Sequence, residues 1–110
     1  MAKTSVGMQE NIAAMLSYLA WWVTGLVFFL LEKENQFVRF HAMQSIIVFG
    51  FIWIVVTVIG VIPILGWAIA GMLGFVGFIL WIILMVKAYQ GEKYKVPWAG
   101  DLAEKWSAKP

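Results

Sequence analysis

The sequence predicts an all-α integral membrane protein, a three-helix bundle with a short interfacial C-terminal tail. Two observations carry that prediction. Hydrophobic residues make up 63% of the 110-residue chain and charged residues 13%, against roughly 45–50% and about 25% in soluble domains. A chain of this size has no interior large enough for that much apolar surface, so its solvent must be lipid. The apolar residues are also gathered into runs of the length a bilayer demands, about 20 residues for a core about 30 Å thick. At this length a single membrane domain over residues 1–110 is expected.

The first run, "IAAMLSYLAWWVTGLVFFLL" (residues 12–31), holds no charge and reads as a first span. It is too long for a signal-peptide core and no small-residue cleavage site follows, so it reads as retained. The polar stretch "EKENQFVRFHAMQS" (residues 32–45) comes next, with Asn35 placed to cap a second helix. Residues 42–86 are 45 uncharged positions, two spans and a turn. Pro63, flanked by Gly60 and Gly66, marks the turn. The expected spans are therefore about 12–31, 42–61 and 64–86. The second and third helices reach about 36–61 and 64–89, and the tail is 87–110. A helix beginning at Gln36 overshoots the hydrocarbon, which puts its first turns among the headgroups. Gly91 suits a helix stop, and "GDLAEKW" suits a short helix capped by Asp101.

Charge fixes a direction for three crossings. Lys33, Arg39, Lys87, Lys93, Lys95, Lys105 and Lys109 fall on one side, and Lys3 alone on the other. The positive-inside rule makes the first side cytoplasmic, with the N-terminus outside and the 32–41 loop and tail inside, in the cell membrane. Tyr94, Trp98 and Trp106 interleave with Lys93, Lys95 and Lys105, a pattern suited to an anionic leaflet. The net field is too weak for nucleic acid.

Inside the spans the only ionisable side chain is Tyr18, so a proton relay is not expected. The hydroxyls of Ser17, Thr24, Ser45 and Thr57 are expected to bond back to their own helices. Gly66, Ala70 and Gly74 recur every fourth residue, and Gly71 and Gly77 widen that stripe. Small residues let helix backbones approach in lipid, either within the chain or between subunits. Trp21, Trp22, Trp53 and Trp81 lie too deep for an interfacial belt, and read as packing bulk or as the wall of a hydrophobic ligand pocket. Trp67 fits an outer-interface anchor.

His41, Gln44, Ser45 and Val48 share a helix face, while Arg39 points elsewhere. That face either bonds within the protein, with Asp101 or Glu32 as partner, or docks a partner or a lipid headgroup. A pH-sensing or pigment-ligating role for His41 is a third alternative. With no cysteine and one histidine, neither a disulfide nor a metal site is expected, and no cofactor is called for. No nucleophile, base and orienting group assemble into a set, which argues against an enzyme.

The motifs "LLEKENQFVRFHAMQS" and "KAYQGEKYKVPWAGDLAEK" resemble the Tic-twenty-like family of small prokaryotic membrane proteins, relatives of the plastid inner-envelope import channel component. The resemblance covers roughly residues 8–105. It implies that Glu32, Asn35, Arg39, His41, Gln44 and Ser45, with Gly91, Pro97, Gly100 and Asp101, occupy characteristic positions. Two functions stand as expectations. One is a non-enzymatic structural or assembly subunit that binds lipids and either another membrane protein or a second copy. The alternative, which the resemblance implies, is an oligomeric channel or translocation component.

Overall fold

The computed structural model describes residues 7–107, so Lys3 and Lys109 lie outside the described residues. These residues form five α-helices: α1 (Glu10–Leu16), α2 (Trp22–Leu31), α3 (Gln36–Ile59), α4 (Leu65–Tyr89) and α5 (Ala99–Trp106). Only α3 and α4, of 24 and 25 residues, are long and apolar enough to cross a membrane. They form an antiparallel hairpin about the Pro63 turn, where the Trp67 indole donates to the Gly60 carbonyl at 3.1 Å.

The first apolar run departs from expectation. It is no single crossing helix but two short ones, broken at residues 17–21. Helices of 7 and 10 residues rise only about 10 and 15 Å, well short of the bilayer core. They also fold back on one another. The Glu10 carboxylate accepts from Asn35 Nδ2 at 2.9 Å, and Asn11 Nδ2 donates to the Tyr89 carbonyl at 3.0 Å. The start of α1 thus lies beside the start of α3 and the end of α4, at the same pole as the 32–35 turn that ends α2. Both ends of the run share one pole, so in place of three helices of crossing length the described residues show two, with the first run folded back as a pair of short helices.

The caps at that pole follow the sequence. Asn35 Oδ1 accepts from the Val38 amide at 3.1 Å. Gly91, at φ +81°, ends α4 with Glu92 N–H bonded to the Lys87 carbonyl at 3.0 Å. The tail then dips as well. Residues 92–96 run extended up the side of α3, Trp98 reaches Phe51 (ring centroids 5.7 Å apart), and α5 returns to the pole. The lower half of α3 is therefore enclosed, with Val38, Phe40, Ala42, Val48 and Phe49 buried, whereas Ile54 and Val58 above it are exposed. An enclosed base carries a bare apolar hairpin, in a molecule 47 Å long.

Candidate functional site

Turn bonds take up part of the backbone at the break, Trp21 N–H to the Tyr18 carbonyl at 3.1 Å and Gly25 N–H to the Trp21 carbonyl at 3.3 Å. Neighbouring helices add a second donor to each. The Trp81 indole N–H donates to the Tyr18 carbonyl at 2.6 Å, and Ser45 Oγ donates to the Trp21 carbonyl at 2.6 Å. Within the break, Thr24 Oγ1 donates to the Ser17 carbonyl at 3.1 Å and accepts from the Ala20 amide at 2.9 Å. Trp21 itself sits at φ +57°, a region costly for a bulky side chain. Ser17 and Thr57 bond back to their own helices, to Ala13 and Trp53. Ser45 does not: its hydroxyl crosses to α2's first turn.

The break also turns Tyr18 inward to meet the polar face of α3. Its hydroxyl lies 2.7 Å from His41 Nδ1 and accepts from Gln44 Nε2 at 2.8 Å. His41 Nε2 lies 2.9 Å from the Glu92 carbonyl. A carbonyl only accepts, so Nε2 carries the proton, and Nδ1 accepts from the Tyr18 hydroxyl. The second Gln44 Nε2 proton goes to the Tyr94 carbonyl at 2.9 Å, and Gln44 Oε1 accepts from the Val96 amide at 2.9 Å. Tyr18, His41, Gln44 and Ser45 are all fully buried. Each polar atom of the Tyr18, His41 and Gln44 side chains has a partner, so rotamers and tautomer are set together.

Arg39 holds the pole beneath this cluster. Its Nε donates to the Ser107 carbonyl at 3.0 Å, and its NH1 donates to the carbonyls of Glu32 at 2.8 Å and Phe29 at 3.4 Å. The guanidinium also lies 4.4 Å from the centre of the Phe29 ring. One cation thereby serves the C-terminal ends of α2 and α5, where the helix dipoles are negative. Gln36 adds a bond to Ser107 Oγ at 3.0 Å.

The candidate residues thus divide. His41, Gln44 and Ser45 do bond within the chain, but to Tyr18, Trp21 and the tail backbone. Glu32 and Asp101, expected as their partners, are elsewhere. The buried Glu32 carboxylate accepts from the Glu34 and Asn35 amides at 2.9 and 2.8 Å, shaping the turn. Asp101 is exposed, 3.7 Å from Lys95 Nζ, and the N-cap of α5 is Trp98, not Asp101. Glu104 accepts from Lys93 and Lys95 at 2.6 and 2.7 Å, and those two bonds hold its carboxyl down at about 2. The Lys95 ammonium is pushed up, chiefly by its bond to Glu104.

The small-residue stripe divides too. Gly66 and Gly77 are buried, Gly66 against the Ile59 carbonyl and Gly77 against Ile52. Gly71 and Gly74 face open space, and Ala70 is half-buried. The close approach that sequence reasoning missed is Gly25, where a Cβ would lie 2.8 Å from the Ala42 carbonyl. An apolar groove of about 290 Å³ opens beside Gly74 and Gly77, walled by Trp21, Trp53, Ile52 and Phe78. Among the described residues no three His, Asp or Glu side chains gather as metal ligands.

Two crossing-length apolar helices on a base whose polar groups are sealed inward define a small helical membrane protein. The family follows from comparison: residues 9–103 match the model of the magnetosome magnetite crystal formation protein family, and the chain belongs to it. A UPF0132 membrane protein of Methanocaldococcus jannaschii is 50% identical over 107 residues, covering 97% of this chain and 96% of the relative. A second from that organism is 44% identical over 93% of this chain and 73% of its own length. One from Archaeoglobus fulgidus is 46% identical over 88% and 94%. No solved structure matches the chain. These matches overturn the Tic-twenty-like resemblance: the loop and tail motifs that carried it belong to the family named here.

Proposed function

We propose that this protein is a non-enzymatic assembly subunit of the cell membrane that binds another membrane protein through the bare face of its α3–α4 hairpin. The observation that carries the reading is the mismatch between base and hairpin. Only 28% of the apolar stretch of α3 and 11% of that of α4 is buried, yet the exposed part includes a groove floored by glycine. In lipid, apolar exposure alone costs nothing, but a glycine floor lets a partner helix approach closely. The buried polar cluster has no free groups to offer a partner.

The same geometry supports a reading of orientation. The six Lys and Arg residues at positions 33, 39, 87, 93, 95 and 105 all lie in the base, and the 60–64 turn carries none. The positive-inside rule then puts the base at the cytoplasmic face, with both ends of the described chain on that side. The bundle keeps three membrane-embedded segments, of which the first is re-entrant.

The family description names magnetite crystal formation. Contact with an iron mineral would use carboxylates as hard oxygen ligands. In this chain Glu92 is 3.0 Å from Lys87, and Glu104 is held by Lys93 and Lys95. Glu92 and Glu104 are thus engaged with lysines, whereas Glu34 and Asp101 stand apart on the surface. Among the described residues no three acids gather as a ligand set, and membrane assembly is the reading kept. The translocation alternative rested on the corrected resemblance, and the polar groups that would line a path are bonded to one another.

The test is the mass of the complex extracted from native membranes in mild detergent, with and without Gly74→Leu. A second membrane protein in fixed ratio, lost in the variant while the subunit's own melting temperature holds, is the expected result. A partner-free subunit in both preparations would refute the proposal.

A further inference from the structure

The way α3 holds the tail points to a second binding property, independent of which protein the hairpin meets. Glu92, Tyr94 and Val96 alternate along an extended segment, so their backbone groups on one edge face the same way. That edge is read by two side chains one helical turn apart. His41 takes the Glu92 carbonyl, and the Gln44 carboxamide takes the Tyr94 carbonyl and the Val96 amide at 2.9 Å each. Gln44 thus presents the donor–acceptor pair that a neighbouring β-strand would present. Tyr18 sits behind both readers and fixes them through bonds of 2.7 and 2.8 Å.

None of these bonds involves a tail side chain. Lys93 and Lys95 turn away from the slot to Glu104. Those ion pairs, and the close seat of Gly100 on Lys95, tie residues 93–104 into one piece. The piece is secured at its far end by Arg39 on the Ser107 carbonyl. It joins α4 through Gly91, whose φ of +81° is open to change at no side-chain cost.

We propose that Tyr18, His41 and Gln44 form a backbone-reading slot for an extended polypeptide segment, filled here by residues 92–96 of the same chain and open to exchange with that segment of a second copy. A second copy is the occupant the observations favour, because its tail reproduces every bond, including the Ser107 anchor and the Phe51–Trp98 contact. Tail exchange links two subunits with no new interface chemistry.

The chain contains no cysteine, so single cysteines report cleanly. Phe51 and Trp98 are both exposed, with rings 5.7 Å apart. Full-length Phe51→Cys and Trp98→Cys chains are co-expressed, and membranes are treated with a short bismaleimide. Exchange predicts a bridged dimer several-fold more abundant in the mixture than with either variant alone, and a several-fold fall when Gln44→Ala is added to both. The double variant in one chain, which should close on itself as a monomer or across an exchanged pair, reports that the tail still docks. A mixture no more bridged than the single variants, beside a double variant that closes only as a monomer, would overturn the exchange. Bridging indifferent to Gln44→Ala would overturn the slot, as would a double variant that closes in neither way.

Discussion

Two glycine-to-alanine changes, chemically identical, are expected to act in opposite directions. At Gly25 a Cβ would lie 2.8 Å from the Ala42 carbonyl, 2.9 Å from Ser45 Cβ and 3.0 Å from Ser45 Oγ. Two of these atoms are backbone or Cβ and cannot swing away, so α2 must move off α3. Overpacking of this kind costs about 1–3 kcal/mol. The same displacement strains the 2.6 Å bond from Ser45 to the Trp21 carbonyl, a part-buried bond worth about 0.5–1.5 kcal/mol. Alanine's helix propensity returns at most about 1 kcal/mol, so a net loss of about 0.5–4 kcal/mol is expected for Gly25→Ala. At Gly74 a Cβ meets nothing within 4 Å, and only the propensity gain of about 0.5–1 kcal/mol remains. The assay is reversible unfolding of the detergent-solubilised protein, followed by tryptophan fluorescence. A Gly25→Ala protein as stable as the parent would refute the close packing of α2 on α3. A Gly74→Ala protein markedly less stable as a monomer would refute the open face.

Three further outcomes are expected. Trp81→Phe keeps an aromatic ring but removes the 2.6 Å donor to the Tyr18 carbonyl, which retains its 3.1 Å bond from Trp21 N–H. It should lower stability by about 0.5–1.5 kcal/mol in the same unfolding assay. Arg39→Lys should loosen the ends of α2 and α5 together, because one ammonium cannot span the Ser107, Glu32 and Phe29 carbonyls that the guanidinium reaches. Faster hydrogen exchange at residues 29–32 and 103–107 would report it. Tail docking should also depend on pH through Glu104. Its folded carboxyl is held at about 2, below the ordinary 4.5, so its contribution is complete above pH 4.5 and is lost as the pH falls toward 2. The protection of residues 92–106 against hydrogen exchange, taken relative to the intrinsic rate at each pH, should fall on acidification across that window, and Glu104→Gln should flatten the dependence.

Composition made the helical membrane class legible, and local chemistry placed the ends of the long helices: Asn35 as a cap, Gly91 as a stop, Pro63 in the turn. The inward polar face of His41, Gln44 and Ser45 was legible from its spacing. Their partners were not, because helical periodicity says which residues share a face and nothing of which backbone lies opposite. The tail was read from its Lys and Trp pattern as lying on the leaflet. Its docking depends on carbonyl and amide groups that every residue carries and no pattern reveals. Gly25 was overlooked beside the more conspicuous Gly66–Gly77 stripe because it stands alone.

The largest departure, the broken first run, has a physical cause distributed over three helices. "IAAMLSYLAWWVTGLVFFLL" has the length and apolarity of a crossing helix, and taken alone it would satisfy its backbone best as one. The break is tolerated because Thr24 takes the Ser17 carbonyl, and Trp81 and Ser45 add donors to the Tyr18 and Trp21 carbonyls beside their backbone bonds. The break then delivers what a straight helix does not. It turns the Tyr18 hydroxyl onto His41 and Gln44, letting those two side chains hold the tail, and it returns α2 to the pole where Arg39 joins its end to that of α5. The fold-back of the first run, the polar cluster and the docked tail therefore stand or fall together. Each element supplies bonds that the others need, which is why reading the first run in isolation gave a span, and why the base resolves as one cooperative unit beneath the hairpin.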